Sequence, residues 1–334
     1  MAMTNDAINS DELVVVATGL TKHFADFVAV DNFNLEVKAG TVVSLLGPNG
    51  AGKTTIVRML ATLSEPTSGS ATVCGYDVVR DADAVRGVVS LTGQFAALED
   101  NLTAEENLLL MARLRGYSKR TATRIVEGLI DRFDIGEFRD KLVKSVSGGQ
   151  RRRVDLAASL VVQPKVLMLD EPTTGLDPRS RQVVWSTIRE LVQGGVTLFL
   201  TTQYLEEADA LADHIVLIDH GRAVAAGTPN ELKSQIGDQR VDIVGIDANG
   251  VGLIVEALSS NFQLVIDHNR RTVSVPAPHD LADLAAVTGA LARVSAHVDE
   301  IALRRPTLDD AFLALTGQAS EPYQQDQSIA EVTP

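Results

Sequence analysis

The feature that most constrains this chain is the stretch G-P-N-G-A-G-K-T-T at Gly47–Thr55. It follows an apolar, β-branched run at residues 41–46, which is typical of a buried strand. Apolar residues then recur at helical spacing, at Ile56, Met59, Leu60 and Leu63. Strand, glycine loop and helix in this order form the context in which G-x-x-x-x-G-K-[ST] binds phosphate. The alternative, a glycine turn that only happens to precede a helix, is disfavoured by these flanks.

Each part of this loop has an expected role. The glycines let consecutive N–H groups point at one anion, and the helix dipole adds positive potential. Lys53 is expected to reach the β- and γ-phosphates, and the Thr54 hydroxyl is expected to hold Mg²⁺. The predicted phosphate-binding residues are Gly47, Pro48, Asn49, Gly50, Ala51, Gly52, Lys53, Thr54 and Thr55.

Composition restricts the class of protein. The chain has 334 residues, 45% of them hydrophobic, which is comfortable for two domains with sizeable cores. Its net charge of −14 disfavours non-specific nucleic-acid binding, which needs a basic footprint. One cysteine, Cys74, precludes an internal disulfide. The polar, acidic N-terminus is not expected to be a signal peptide, and no run approaches the ~18 apolar residues of a spanning helix.

Polar residues are expected to meet at the ends of neighbouring buried strands. The apolar run at residues 166–169 leads into Asp170 and Glu171. Functional groups in open α/β sheets lie at the carboxyl ends of strands. We therefore expect Asp170 to help hold Mg²⁺ and Glu171 to act as general base on water. Gln94 and Gln203 each follow a further apolar run. The alternative for the two acids is a strand that runs out into an ordinary polar loop.

Two other segments allow a functional and a structural interpretation. Phe24 precedes the phosphate loop, between the first two predicted strands, and could offer a flat face to a nucleotide base or belong to the core. The S-G-G-Q motif at Ser147–Gln150 opens a helix, which predicts a second anion-binding end. The run Arg151–Arg153 adds positive charge beside that end, although such runs are more often a solvated face.

The order of patterns predicts the domain organisation. Residues 1–12 are expected to be disordered, and residues 13–227 to form an α/β domain with a helical insert at about 95–164. From 228 to 317 the order β-α-β-β-α-β predicts a small α+β, ferredoxin-like domain. Residues 318–334 have the composition of a disordered tail.

At this point the chain resembles the ATP-binding subunits of ABC transporters, over about residues 12–230. The matching residues are Lys53 in Walker A, Gln94 in the Q-loop, Ser147, Gly148, Gly149 and Gln150 in the signature, Asp170 and Glu171 in Walker B, Asp177 in the D-loop, and Phe24 as the adenine-stacking aromatic. Their order and spacing are highly specific together. The resemblance implies a P-loop NTPase domain with an antiparallel β subdomain and a helical insert, followed by an accessory C-terminal domain.

The resemblance is closer to the daunorubicin/doxorubicin-resistance type of subunit, a bacterial drug-exporter branch. T-T-Q-Y-L-E-E-A-D-A-L-A-D at Thr201–Asp213 and L-R-R-P-T-L-D-D-A-F-L at Leu303–Leu313 carry it. Gln203 stands where most such ATPases have histidine, so general-base work is expected to fall on Glu171 and γ-phosphate sensing on Gln203. Val146 replaces the usual leucine before the signature, a mild departure.

The resemblance also implies cofactors, partners and place. The cofactors are ATP and Mg²⁺; Glu171, Lys53, Gln203 and Gln94 are the catalytic residues, and Thr54, Gln94 and Asp170 are the metal ligands. A second copy would complete each ATP site through its signature and D-loop residues. Separate permease chains would hold the subunit at the cytoplasmic face of the membrane, and nucleic acid is not an expected partner. A soluble non-transport ATPase and an importer ATPase are the alternatives. The C-terminal domain is interpreted as stabilising the dimer rather than binding a regulatory ligand.

Overall fold

The structure is a computed structural model that describes residues 12–93, 98–235, 240–276, 281–293, 298–304 and 306–316. The chain divides into two compact units, and the division falls between Pro229 and Asn230.

The first unit contains ten strands, in the described residues, and most of the helices. The strands are β1 Leu13–Phe24, β2 Phe27–Lys38, β3 Val42–Leu46, β4 Ser68–Val73, β5 Tyr76–Asp77, β6 Val89–Thr92, β7 Val166–Asp170, β8 Thr197–Thr202, β9 His214–Asp219 and β10 Arg222–Gly227. The helices are α1 Lys53–Leu60, α2 Ala82–Val88, α3 Ala104–Leu114, α4 Lys119–Arg132, α5 Gly148–Ser159, α6 Pro178–Gln193 and α7 Leu205–Leu211, with α8 Pro229–Ser234 at the junction.

A six-stranded sheet positions the candidate site. Its strand order is β10-β9-β3-β8-β7-β6, and all pairs are parallel except the edge pair of β10 and β9. Every residue of β3, β7 and β8 is buried, which explains their continuous apolar runs. Because these three strands are neighbours and parallel, their carboxyl ends meet at one edge, where Asp170 ends β7 and the phosphate loop and Gln203 follow β3 and β8.

A smaller antiparallel sheet, in the order β2-β1-β4-β5, shares a core with this one. Val15 and Phe33 of the antiparallel sheet lie in one buried cluster with Leu45 of β3, Ile56 of α1 and Phe199 of β8. All five side chains are fully buried. The core therefore fixes helix α1, and with it the phosphate loop, between two sheets.

The predicted helical insert contains α3, α4 and α5. Thr103 and Glu106 form a capping box, in which the Thr103 hydroxyl accepts from the Glu106 N–H and the Glu106 carboxylate accepts from the Thr103 N–H. Leu108 of α3, Val126 of α4 and Val154 of α5 are buried in one cluster that also includes Trp185 of α6. The same cluster includes Leu169 and Leu198 of the parallel sheet, so the insert packs onto that sheet, and its helix α5 begins within the S-G-G-Q motif.

The second unit has its own sheet and core. Its elements are β11 Arg240–Gly245, α9 Ala248–Leu258, β12 Val265–Asp267, β13 Thr272–Pro276, α10 Leu281–Arg293, β14 Val298–Arg304 and α11 Leu308–Thr316. The order before α11 is the predicted β-α-β-β-α-β. The strands are antiparallel in the order β12-β13-β11-β14. Val241, Ile243, Ile254 and Val273 form the centre of its core.

Two expectations about local structure are wrong. Phe24 is the last residue of β1, paired with Phe27 across a tight turn, rather than part of a loop. Leu63 is 63% exposed because α1 ends at Leu60, so it is not on the buried face of that helix. Among the described residues, no helix combines the length and the apolar character that crossing a membrane requires.

Candidate functional site

The phosphate loop has a backbone shape that demands glycine. Gly50 and Gly52 have φ angles of +82° and +105°, in the left-handed region that side chains rarely adopt. A Cβ on Gly52 would lie 2.5 Å from the Ala29 carbonyl oxygen, and one on Gly47 would collide with the Ile218 carbonyl. Gly52 is also the N-cap of α1 and has no side chain to cap that helix. The first N–H groups of α1 are therefore not capped by a side chain of the loop.

Lys53 is held inside this loop. Its Nζ donates to the carbonyl oxygens of Gly47 at 2.8 Å and Pro48 at 3.1 Å, and lies 3.6 Å from Glu171 Oε1. Burial lowers the pKa of Lys53, and the charges of Glu171 and Asp170 oppose that shift. The ammonium group thus stands between the loop and the carboxylate that follows β7.

Asp170 and Thr54 meet at the end of β7. Asp170 Oδ1 accepts a hydrogen bond from Thr54 Oγ1 at 3.2 Å and another from Thr201 Oγ1 at 2.5 Å. The carboxylate is 4% exposed. A hydroxyl and a carboxylate at this distance are oxygen donors of the kind that Mg²⁺ prefers. The residue types and their spacing therefore fit a magnesium site that uses few protein ligands.

Glu171 is fixed by its backbone as well as by its side chain. Its φ of +50° is unusual for a residue other than glycine. Its N–H donates to the backbone carbonyl and the hydroxyl of Thr201, at 3.1 and 3.2 Å. Thr174 Oγ1 donates to Glu171 Oε2 at 3.4 Å. This conformation turns the chain sharply after β7 and leaves the Glu171 carboxylate beside Lys53.

An open cavity of about 310 Å³ lies over the loop. It is lined by residues 49–55, by Glu171, and by Phe24, Phe27 and Ala29. Phe24 is 52% exposed, with Lys22 Nζ 5.1 Å from its ring centroid, so it is not a core residue. Phe27, also exposed, is a cavity residue that the sequence argument missed. Its position opposite Phe24 in a two-residue hairpin was the signal that could have identified it.

The predicted signature and D-loop residues, and Gln203, do not line this cavity. Ser147 caps α5 in a capping box with Gln150, and Asp177 caps α6 by accepting from the Ser180 N–H at 2.9 Å. A Cβ on Gly149 would lie 2.6 Å from Ser180 Oγ, so the two helix starts are in close contact. Gln203 directly follows β8 and is partly buried, but it is not among the described residues that line the cavity. Gln94 lies outside the described residues.

The three consecutive arginines do not provide a positive surface next to Ser147. Arg151 Nη1 is 2.6 Å from Asp100, and Arg153 Nη1 is 3.0 Å from Asp134 and also covers the Phe138 ring. Arg152 is only 11% exposed in its side chain and pairs with Asp155 at 3.0 Å. Because each guanidinium is matched by a carboxylate, the expectation of added positive charge was wrong. The alternative of a solvated face does not hold for Arg152 and Arg153, whose side chains are 11% and 12% exposed, whereas Arg151 is 35% exposed.

Glu207, which sequence reasoning passed over, is buried close to the site. It is 1% exposed, and its Oε1 accepts from Thr173 Oγ1 at 2.8 Å and from Trp185 Nε1 at 3.2 Å. Burial raises its pKa, and the hydrogen bonds and Arg181 oppose that shift. The carboxylate therefore joins the loop after β7 to helices α6 and α7. A buried acid within an exposed-looking E-E-A-D sequence has no periodic signal.

A glycine loop between β3 and α1, a lysine and a carboxylate–hydroxyl pair at one sheet edge define a P-loop nucleoside triphosphatase. The ABC transporter family profile matches residues 30–174. The chain is 48% identical to the daunorubicin resistance ATP-binding protein DrrA3 of Streptomyces coeruleorubidus, over 92% of this chain and 96% of that protein. This chain belongs to the family of ATP-binding proteins of ABC transporters, and it is an ATPase.

Two further similarities extend the comparison. A Nod factor export ATP-binding protein I of Ralstonia nicotianae is 35% identical over 91% of this chain and 94% of that protein. A solved dimer of an ATP-binding cassette, in a post-hydrolysis state with ADP and phosphate, superimposes with a TM-score of 0.59 at 24% identity, over 64% of this chain and 98% of that one. The resemblance found in the motifs is confirmed, and so is the P-loop fold of the first unit.

Proposed function

We propose that this chain is the ATP-hydrolysing subunit of a bacterial ABC exporter. In this proposal it powers the efflux of a drug, or of another amphiphilic or lipid substrate, through separate permease chains at the cytoplasmic face of the membrane. The observation that carries the proposal is the meeting of Lys53, Thr54, Asp170 and Glu171 at one sheet edge. The drug-resistance and Nod factor export proteins that the chain resembles favour export over import.

Different cavity residues bind different parts of the nucleotide in this proposal. The exposed ring of Phe24 offers a face on which adenine stacks. The loop N–H groups and the start of α1 bind the phosphates. Lys53 exchanges its bonds to the carbonyls of Gly47 and Pro48 for bonds to the β- and γ-phosphates. The site thus gains its anion-binding capacity when the lysine is drawn from its own loop.

Thr54, Asp170 and Gln94 would hold magnesium, with the first two meeting at 3.2 Å. When bound, the ion neutralises charge on the β- and γ-phosphates. Glu171 accepts a proton from the attacking water, and its fixed backbone sets the direction of its carboxylate. Gln203 donates its amide to the γ-phosphate as a sensor. Catalysis then comes from positioning and charge compensation by these side chains.

The second ATP-binding surface belongs to another copy of the chain. Ser147, Gly148, Gly149 and Gln150, together with Asp177, lie outside the lining of the chain's own cavity. We propose that they close over the nucleotide of a second copy, so that each site is shared. The second unit, residues 230–319, is proposed to be a ferredoxin-like accessory domain that stabilises this dimer.

The test is ATP hydrolysis and transport by the chain co-expressed with its permease. Glu171→Gln is expected to abolish turnover, by about 10²-fold or more, while ATP still binds. Membrane vesicles should accumulate an amphiphilic drug only with ATP and only with wild-type chain. Unchanged turnover in Glu171→Gln, or transport in the opposite direction, would refute the proposal.

A further inference from the structure

Arg152 is the buried member of the arginine run in α5. Its Nη1 donates to the Gly93 carbonyl at 2.7 Å, its Nε to the Pro172 carbonyl at 2.9 Å and its Nη2 to the Asp170 carbonyl at 3.4 Å. Asp155, one turn further along α5, accepts from Nη1 at 3.0 Å. A single planar group thus satisfies carbonyls from three backbone positions and one carboxylate.

These three carbonyls belong to segments that carry the proposed chemistry. Asp170 ends β7, Pro172 follows Glu171, and Gly93 directly precedes Gln94. Buried backbone carbonyls at or beyond a strand end need a hydrogen-bond partner when the sheet does not supply one. Arg152 supplies that partner on both sides of Glu171. The position of the general base therefore depends on a side chain from a different helix.

The same helix begins at the signature. Ser147 is the N-cap of α5, and its capping box with Gln150 satisfies backbone N–H groups of the first turn. Arg152 lies five residues after Ser147, less than two turns along the helix. Burial lowers the pKa of the Arg152 guanidinium, and the carboxylates of Asp155, Glu207 and Asp170 oppose that shift. Because Arg152 lies on α5, a displacement of the signature end of this helix would also move the guanidinium relative to the carboxylates that balance its charge.

We propose that Arg152 is a positioning residue that couples the two ATP sites of the dimer. When Ser147 of one copy closes on the nucleotide of the other, α5 shifts, and Arg152 carries that shift to Asp170 and Glu171 of its own copy. Hydrolysis in each site then depends on closure over the other nucleotide. The inference rests on the shared-site dimer in the proposed function.

Arginine is required by the geometry. Three donors in a fixed fork reach three carbonyls, whereas the lysine ammonium is a single point at the end of a flexible chain. Arg152→Lys keeps the charge but cannot hold all three segments. Arg153→Lys and Arg151→Lys are matched controls, because those neighbours contact Asp134 with the Phe138 ring and Asp100 instead.

The experiment measures ATPase rate against ATP concentration for the full chain with its permease. In Arg152→Lys we expect kcat to fall about 10- to 100-fold, as for a misplaced catalytic group, with KM within about twofold. We expect a Hill coefficient above 1 in the wild type and a coefficient of about 1 in Arg152→Lys. Both lysine controls should keep the wild-type coefficient.

Each of the following outcomes counts against the inference or against the proposed function on which it rests. If Arg152→Lys keeps kcat and cooperativity, the residue does not couple the sites. If it loses nucleotide binding along with turnover, its role is in folding. Should Arg152→Lys fail to fold, Asp155→Asn, which loosens the guanidinium without removing it, must show the same loss of cooperativity. A wild type that hydrolyses ATP without cooperativity refutes the coupling, while absence of hydrolysis in the wild type refutes the proposed function itself.

Discussion

At the scale of single residues, the site depends on groups whose environment differs from what their type suggests. Lys53 is bonded to the carbonyls of its own loop, and Glu171 follows a strand with a φ of +50°. Phe24 is an aromatic residue left half exposed beside a cavity. Lys53 and Phe24 are contacted by residues nearby in sequence, whereas Glu171 is held by Thr201 and lies beside Lys53, which are far from it along the chain. Their individual contributions can be measured separately.

Phe24→Ala is expected to weaken ATP binding by about 1–3 kcal/mol, the usual value of a base–aromatic stack. Isothermal titration with ATP in the Glu171→Gln background measures it. Tripolyphosphate, which has no base, should bind equally to both forms. Phe24→Tyr keeps the stacking face and is the control. Equal ATP affinity in Phe24→Ala would place the base elsewhere.

Glu207 predicts a pH dependence of stability. Its pKa in the folded chain is raised above the usual 4.5, so the folded state binds more protons than the unfolded state between those two values. The free energy of unfolding therefore falls as pH rises from about 4.5 through the raised pKa, and this loss is absent in Glu207→Gln.

Urea unfolding between about pH 5 and pH 8.5 tests this dependence. The stability difference between wild type and Glu207→Gln should change with pH in favour of the variant as pH rises. Glu206→Gln is the matched control, because Glu206 is adjacent to Glu207 in sequence but its own side chain is 79% exposed. A difference that does not vary with pH would show that the buried carboxylate does not retain its proton.

At the scale of helices and strands, local signals and packing agree for most elements. The buried strands β3, β7 and β8 correspond to apolar runs in the sequence. Helix α3 begins at a capping box formed by Thr103 and Glu106. Local patterns do not define where elements stop. Helix α1 ends three residues before Leu63, although Leu63 continues the apolar spacing. Helix ends depend on tertiary contacts, which periodicity alone does not contain.

Thr103→Ala is expected to lower the free energy of unfolding by about 1 kcal/mol, since the hydroxyl caps α3. Chemical denaturation measures the loss. Thr123→Ala, in the exposed face of α4, removes a hydroxyl bonded to the carbonyl of Lys119 and should change stability by less than about 0.5 kcal/mol. An equal effect of both substitutions would contradict the capping argument.

The site was predictable to the extent that its residues are contiguous in sequence. Gly47–Thr55 and Asp170–Glu171 each form one stretch next to a strand, so their meeting follows from parallel neighbouring strands. The partners of Arg151, Arg152 and Arg153 could not be predicted in this way. Apart from Asp155, each hydrogen-bond partner of these arginines lies at least 18 residues away in sequence. Their charge alone suggested a positive surface, whereas each guanidinium is paired with a carboxylate.

At the scale of the whole molecule, the two units have separate cores. The first is built on the parallel sheet, and the second on Val241, Ile243 and Val273 between its own strands and helices. The second unit has the element order β-α-β-β-α-β before α11, in the order in which its apolar segments follow one another along the chain. Separate cores imply that removing one unit leaves the other able to fold.

Deletion of residues 230–334 is therefore expected to leave a folded ATP-binding chain with a weaker dimer. Calorimetry should give ATP affinity within about twofold of the full chain, since the cavity residues lie before the division. Sedimentation velocity with ATP in the Glu171→Gln background should show more monomer than the full-length form. A deletion variant that dimerises equally well would assign the second unit another role, such as ligand sensing.

The glycines of the phosphate loop also limit which substitutions the gene can accumulate. Gly47 faces the carbonyl of Ile218, and Gly52 faces that of Ala29, so the obstacle to any side chain at either position is main chain. A substitution at another site exchanges side-chain atoms, whereas these obstacles are main-chain atoms that every amino acid carries. We therefore expect both codons to lack compensating suppressors elsewhere in the gene. In a population under selection for transport, we therefore expect glycine to be retained at both positions.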